Sequence, residues 1–190
     1  TIPRGQWTLV TVTVTTAKLV TVYLNGVAIG STSHAISSWV PPSGNASTPL
    51  CIGTLYPYGD GWGGNTGFSL DGRIDDVRIY NQALSATEVA ALYRSGEVVR
   101  KTANNTGLVG YWPLDEATST IAGDFSGNRN NGTLSNFALS GATSNWAVGK
   151  RGAGLDFDGS NDQVYGTIPA ATFAGDFTIT AWFNHRAMTQ

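Results

Sequence analysis

Short stretches of alternating apolar and polar residues recur along the chain and limit the folds that it can adopt. Valines and threonines alternate over residues 8–15, and the same period of two returns over residues 20–24. Successive side chains of a β-strand point to opposite faces, so this period predicts strands with one buried face. Asn25 and Gly26 follow directly and favour the type I′ turn of a hairpin, because both residues tolerate a positive φ. Residues 27–29 are therefore predicted to return as the partner strand.

The rest of the chain repeats this pattern of short strands and turns. Further strands are predicted near residues 50–54, 68–79, 108–114, 155–157, 164–168 and 177–183. One short helix is predicted from Ala86 to Arg94, because Ser85 and Glu88 have the spacing of a capping box. Leu84 and Val89 have the spacing of a hydrophobic staple at the same end. Many short strands with turn residues between them predict an all-β protein, an antiparallel jelly-roll β-sandwich.

One strand changes its apolar face midway. Apolar residues up to Ile74 share one parity and those from Val77 share the other, with Asp75 and Asp76 at the change. A β-bulge inserts one extra residue and shifts the parity in this way. The sequence therefore predicts a bulge or twist at the two aspartates.

Composition excludes some classes of function. Charged residues make up only 13% of the chain, about half of ordinary usage, which favours a secreted or cell-surface β-protein. The net charge of −2 offers no basic stripe for nucleic acid. No apolar run approaches the ~20 residues of a membrane helix, so no membrane insertion is expected. Cys51 lies between Leu50 and Ile52 and is predicted to be a small buried core residue.

Two groups of short motifs stand out in the sequence. The first group comprises residues 5–12, 22–27, 72–81 and 83–89, and the second comprises residues 108–114, 124–133 and 152–158. These motifs resemble laminin-G-like (concanavalin A-like) jelly-roll modules of bacterial surface proteins. The first group resembles the end of such a module, and the second resembles its beginning. The resemblance implies a concanavalin A-like sandwich.

The order of the two groups departs from the family, since the end of a module precedes the beginning of one. We therefore expect residues 1–96 to be the C-terminal half of a module, residues 97–106 a linker, and residues 107–190 an N-terminal half. The chain is then either a window across two tandem modules or one composite sandwich. We favour the composite, closed within one chain or between copies, because a lone half would expose its apolar face and strand edges.

A calcium site is the first candidate for a functional site. Ca²⁺ takes six to eight oxygen ligands, and a glycine-containing loop of Asp and Asn residues can supply several of them. In the family such loops commonly hold one structural calcium, and the resemblance assigns that role to Asp75, Asp124 and Asn128. The shared ion would place Asp75 close to Asp124. The alternative is an Asx-turn, in which these side chains bond their own backbone.

Loop aromatics are the second candidate. Trp39, Tyr56, Tyr58 and Trp62 fall in predicted loops, where exposed rings could stack on sugars. The alternative is that these rings cover the ends of the core.

These features predict a non-catalytic extracellular adhesion module that binds a glycan or a cell-surface polysaccharide. The alternative is a structural spacer, or a subunit that exchanges strands with further copies in a repetitive surface protein. A glycosidase would need two carboxylates flanking the scissile bond, whereas Glu88, Glu97 and Glu116 fall in a helix cap, a linker and a turn. His34 and His185 are isolated, and we expect both in loops or at the surface.

Overall fold

The computed structural model describes residues 2–33, 47–53, 69–95, 106–141 and 145–187. The described part contains twelve strands, one α-helix and one 3-10 helix. The elements are β1 Thr8–Val14, β2 Leu19–Leu24, β3 Val27–Ser33, β4 Ser47–Ile52, β5 Asp71–Tyr80, α1 Ala86–Ser95, β6 Leu108–Trp112, β7 Ile121–Ala122, β8 Gly132–Ser135, β9 Trp146–Val148, β10 Ala153–Asp158, β11 Gln163–Pro169, the 3-10 helix Ala170–Phe173 and β12 Phe177–Ala187.

The strands form two antiparallel sheets. Sheet A contains eight strands in the order β3-β2-β1-β12-β5-β10-β9, with β6 paired to β5 beside β10. Sheet B contains four strands in the order β4-β11-β8-β7. This arrangement confirms the predicted all-β antiparallel sandwich with one short helix.

Strands from the two parts of the sequence pair with each other in both sheets. In sheet A, β1 and β5 lie on either side of β12, and β5 also pairs with β10 and β6. In sheet B, β4 pairs with β11. Residues 96–105 lie outside the described residues, so the boundary proposed at 97–106 stays a prediction.

The main core lies between the two sheets. Its buried side chains come from the inner face of each sheet. Sheet A and the residues after β6 contribute Ile74, Val77, Ile79, Trp112, Leu114, Leu155, Phe157 and Ala181, and sheet B contributes Leu50, Ile52, Ala122, Leu134, Val164 and Ile168. In sheet B the buried residues alternate with outward-facing ones, which leaves its second face to solvent.

Helix α1 covers part of the outer face of sheet A. Its start is capped as predicted, because the backbone N–H and hydroxyl of Ser85 both donate to Glu88 Oε2 at 2.8 Å. Leu84 and Val89 are buried in a second apolar cluster with Trp182 of β12. The predicted capping box and hydrophobic staple are therefore confirmed. Within the described residues no helix is long and apolar enough to cross a membrane.

Strand β1 buries its threonine face more completely than its valine face, although threonine is the more polar residue. Thr11 and Thr13 are buried, whereas Val10 and Val12 are only half-buried. The threonine face lies on the side of sheet A that carries the residues around α1, since Thr178 of β12 bonds to the backbone of residues 82 and 84.

Two further expectations are wrong. His185 lies buried in β12 rather than in a surface loop, and its Nε2 is 3.0 Å from the Ile2 carbonyl oxygen. Cys51 is half-buried rather than in the core. Leu50 and Ile52 point into the core on either side of it, so the alternation of β4 turns the thiol to the outer face. His34 lies outside the described residues.

Candidate functional site

The carboxylate of Asp124 is bonded on both oxygens by groups of the protein. Its Oδ1 accepts the backbone N–H groups of Tyr111 at 2.9 Å and Ser126 at 2.8 Å. Its Oδ2 accepts the Ser126 hydroxyl at 2.9 Å and the backbone N–H of Asn130 at 2.8 Å. A carboxylate offers about four acceptor positions. Protein groups therefore occupy the acceptor positions of the Asp124 carboxylate without an ion.

Three further polar side chains of this loop donate to backbone carbonyl groups of β6. The Asn128 amide nitrogen donates to the carbonyl oxygens of Leu108 at 3.1 Å and Val109 at 3.0 Å. The Ser126 hydroxyl and the Asn130 amide also donate to Val109, at 3.0 and 2.9 Å. An unpaired strand edge exposes backbone groups that can pair with another chain. Side chains of residues 124–130 form hydrogen bonds with these backbone groups, in the place where a further strand would pair with β6.

Asp75 lies in a different environment, at the predicted bulge in β5. Asp76 has a φ of 55°, and the register between β5 and β12 shifts beside it. The same point divides β5 into a segment paired with β10 and a segment paired with β6. The predicted bulge is thereby confirmed.

Both aspartates of the bulge are buried among charged groups. Asp75 Oδ2 accepts the backbone N–H of Arg151 at 2.8 Å. Burial raises the pKa of Asp75 to about 7, and the nearby carboxylates of Asp76 and Asp115 add to that rise. Asp76 Oδ1 accepts the Tyr111 hydroxyl at 2.7 Å and an Arg78 N–H at 3.2 Å.

The three residues predicted to bind calcium do not meet in one described site. Asp124 and Asn128 share the β6 edge, where Asn128 presents its amide nitrogen rather than an oxygen to its partners. Asp75 shares no described contact with either residue. Among the described residues no group of three or more His, Cys, Asp or Glu could hold a metal ion. Calcium binding by Asp75, Asp124 and Asn128 therefore stays a prediction, and the hydrogen bonds around Asp124 give it no support.

The four candidate sugar-binding aromatics, Trp39, Tyr56, Tyr58 and Trp62, all lie outside the described residues. Their role as a glycan site stays a prediction.

The outer face of sheet B is a candidate binding surface that the sequence reasoning missed. The strands β4, β7, β8 and β11 contain no Asp, Glu, Lys, Arg or His. The charged residues of the described strands belong to β5, β10 and β12, all in sheet A. The two sheets therefore differ sharply in the charge that they present.

Strand register places the outward residues of sheet B in a row. Cys51 of β4 is opposite Tyr165 of β11, Tyr165 is opposite Thr133 of β8, and Thr133 is opposite Ile121 of β7. We call these four residues the sheet B row. Tyr165 is 38% exposed and Ile121 is 47% exposed. Lack of charge does not single out these segments in the sequence, because five strands of sheet A also contain no charged residue.

Comparison with known protein families gives a match over part of the chain. Residues 1–90 match the laminin G-like family described as the concanavalin A-like lectin/glucanases superfamily. A search of curated proteins and a search of solved structures gave no significant match. The match covers β1 to β5 and the first half of α1, and the two-sheet antiparallel architecture agrees with it. Residues 1–90, slightly less than half of the chain, therefore match a laminin-G-like module of the concanavalin A-like lectin/glucanase superfamily.

Proposed function

We propose that this chain is a non-catalytic carbohydrate-binding module of an extracellular or cell-surface protein. The outer face of sheet B carries the proposal, because it combines an exposed tyrosine with polar side chains and its described strands contain no charged residue. Aromatic rings stack on flat apolar faces, and hydroxyl and amide groups supply hydrogen bonds. The superfamily is named for lectins and glucanases, which agrees with a glycan ligand.

The placement of the described glutamates supports binding rather than hydrolysis. Glu88 is engaged in the capping box of α1, and Glu116 Oε1 accepts the backbone N–H of Gly123 at 2.7 Å. Glycoside hydrolysis needs one carboxyl group as acid and a second as base or nucleophile across a bound sugar. Both described glutamates act instead as acceptors within their own local segments.

A glycan array tests the proposed function. The purified chain should bind a restricted group of glycans and leave them intact, as judged by mass spectrometry of the recovered ligand. Absence of binding to every glycan on the array would reject a carbohydrate-binding role. Release of shortened glycans would reject the non-catalytic assignment.

The exposed edge of sheet A favours a structural role as the second candidate. All seven residues of β3 are exposed, and β3 pairs only with β2 among the described strands. Val27 is 67% exposed and Ile29 is 59% exposed. Such an edge can pair with a strand of another copy.

Light scattering during size-exclusion chromatography separates this candidate from the first. Strand pairing between copies predicts a mass that rises with concentration and returns to that of one chain in the Ile29→Lys variant. Lys blocks pairing at strand edges because its charge must stay in water. A single-chain mass at all concentrations would reject assembly through β3.

A further inference from the structure

The two ends of the described part of the chain lie side by side at one end of sheet A. His185 Nε2, near the end of β12, is 3.0 Å from the carbonyl oxygen of Ile2. The backbone N–H of Gly5 donates to the carbonyl oxygen of His185, also at 3.0 Å. Tension that enters the sandwich at Ile2 and leaves it after β12 therefore acts first on these two hydrogen bonds.

The strands β1 and β12 continue from this point as an antiparallel pair. Thr8 faces Phe183 at the end nearest His185. Val14 faces Phe177 at the other end, and the register contains seven facing pairs. The hydrogen bonds of an antiparallel pair are perpendicular to the strands. Tension applied at the adjacent chain ends is therefore directed along these bonds and reaches the facing pairs one after another.

The other neighbours of these two strands separate from the same end of the sheet. β1 also pairs with β2, and the pair nearest Ile2 is Val10 opposite Leu24. β12 also pairs with β5, and the pair nearest the chain end is Ala187 opposite Asp71. Detachment of β1 or of β12 by tension at the chain ends therefore includes no step in which a whole ladder of hydrogen bonds breaks at once.

The same strands are arranged to resist tension in another direction. Ala17 is exposed in the turn between β1 and β2, at the far end of the pair from His185. Gly175 precedes β12 at that same far end, and a β-carbon on Gly175 would meet no other atom within 4 Å. Tension between either residue and the opposite chain end is parallel to the strands, so the seven facing pairs of β1 and β12 share it.

We infer that the sandwich is sensitive to force and opens at low tension when it is pulled through its chain ends, by successive separation of the facing pairs of β1 and β12. Forced unfolding is governed by the unfolding rate. Tension concentrated on one residue pair raises that rate more than the same tension shared by seven pairs. This behaviour follows from the register of sheet A and is independent of glycan binding. It makes the module an extensible connection rather than a rigid one.

Optical tweezers test this inference on the full chain with three double-cysteine variants. All three contain Cys51→Ala, so that the introduced cysteines are the only thiols to which DNA handles attach. The first variant, Thr1→Cys with Gln190→Cys, is pulled at the adjacent chain ends. The second, Ala17→Cys with Gln190→Cys, and the third, Thr1→Cys with Gly175→Cys, are pulled parallel to the strands. At one loading rate the first variant should unfold at the lowest force.

The dependence of the unfolding force on loading rate gives a second readout. Successive separation of the pairs lengthens the molecule before the barrier is crossed, so the unfolding force of the first variant should rise less steeply with loading rate than that of the other two. Melting curves without tension show whether each variant retains the fold. The second and third variants pull on the same strand pair, so loss of the fold in one of them leaves the comparison intact.

The outcomes decide the inference without reference to the proposed function. A lower unfolding force for the first variant than for either folded variant pulled parallel to the strands would support it. Equal unfolding forces in all folded variants, or the highest force for the first variant, would overturn it. Either result leaves the glycan array as the test of carbohydrate binding.

Discussion

The Oγ atoms of Thr11 and Thr180 lie 2.8 Å apart across the pair formed by β1 and β12, and both side chains are almost completely buried. The two residues are 169 positions apart in the sequence. Their hydrogen bond joins strands from the two ends of the chain on the face of sheet A that carries the residues around α1. A buried hydroxyl group without a partner destabilises a fold, so each threonine depends on the other.

We expect the single substitution Thr11→Val to lower the free energy of unfolding by about 1–3 kcal/mol, because it leaves the Thr180 hydroxyl unpartnered in a buried position. The double variant Thr11→Val, Thr180→Val should be closer to the wild type, since valine has nearly the shape of threonine and no polar group stays unpaired. Urea denaturation of the four proteins in a double-mutant cycle measures the coupling. The exposed Thr32→Val is the control and should change stability little. Additive losses in the double variant would contradict the pairing.

Local sequence signals predicted parts of the fold well. The capping box at Ser85 and the bulge at Asp76 follow from residues a few positions apart, and both occur in the structure. The burial of Thr11 could not be predicted in this way. Which face of β1 is covered depends on where residues 82–95 pack against sheet A, and the alternation of valine and threonine does not contain that information.

The candidate sites were harder to predict for a related reason. A loop of Asp, Ser and Asn residues supplies the same atoms to a metal ion and to an adjacent strand edge. Only the position of β6 beside Asp124 decides between the two roles. The sheet B row depends on register between strands that are distant in sequence, as between Cys51 and Tyr165. The sequence pattern points instead to aromatic residues in loops.

The loop at Asp124 should stabilise the protein without calcium. Asp124→Ala removes the acceptor of three backbone N–H groups and one hydroxyl, so we expect a loss of about 2–3 kcal/mol in the free energy of unfolding. Asp124→Asn should lose a large part of the same stabilisation. Its amide nitrogen is a donor and would replace one of the two carboxylate oxygens, each of which accepts two hydrogen bonds in the wild type. Urea denaturation in excess EDTA provides the measurement.

Addition of calcium is the control for this prediction. A ligand that binds only the folded state raises its stability by mass action. We expect the melting temperature of the wild type to be the same in calcium and in EDTA, because the Asp124 carboxylate is already bonded by the protein. A calcium-dependent increase that Asp124→Ala abolishes would show that an ion replaces these hydrogen bonds.

The helix cap gives a third prediction, at the edge of the second apolar cluster. Ser85→Ala removes a hydroxyl that lies 3.3 Å from the backbone nitrogen of Glu88, so the start of α1 loses its cap. We expect the free energy of unfolding to fall by about 1 kcal/mol. Ser31→Ala, on the exposed strand β3, is the matched control and should have almost no effect. Equal stability of both variants in thermal denaturation would show that the cap does not contribute.

The last prediction concerns pH and the buried carboxyl group of Asp75. Its folded-state pKa is about 7, raised by burial and by Asp76 and Asp115, whereas an unfolded Asp has a pKa near 3.9. Between about pH 4 and pH 7 the folded state therefore holds a proton that the unfolded state has lost. The free energy of unfolding rises with pH only where the unfolded state binds more protons than the folded state. The contribution of Asp75 to the free energy of unfolding therefore falls between about pH 4 and pH 7 and is constant above pH 7.

The variant Asp75→Asn isolates this contribution. Its amide is uncharged at every pH, and its carbonyl oxygen can still accept the backbone N–H of Arg151. The variant should match the wild type near pH 4 and become more stable than it as the pH rises to about 7, by a few kcal/mol at pH 8. Urea denaturation from pH 4 to pH 8 in EDTA measures the difference, with Asp158→Asn at an exposed carboxylate as the control for the loss of one charge. Two outcomes would contradict this prediction: a difference in the free energy of unfolding that stays constant with pH, or one that favours the wild type at pH 8. Either would show that Asp75 is charged in the folded protein at neutral pH and is stabilised by its neighbours Arg151 and Lys150.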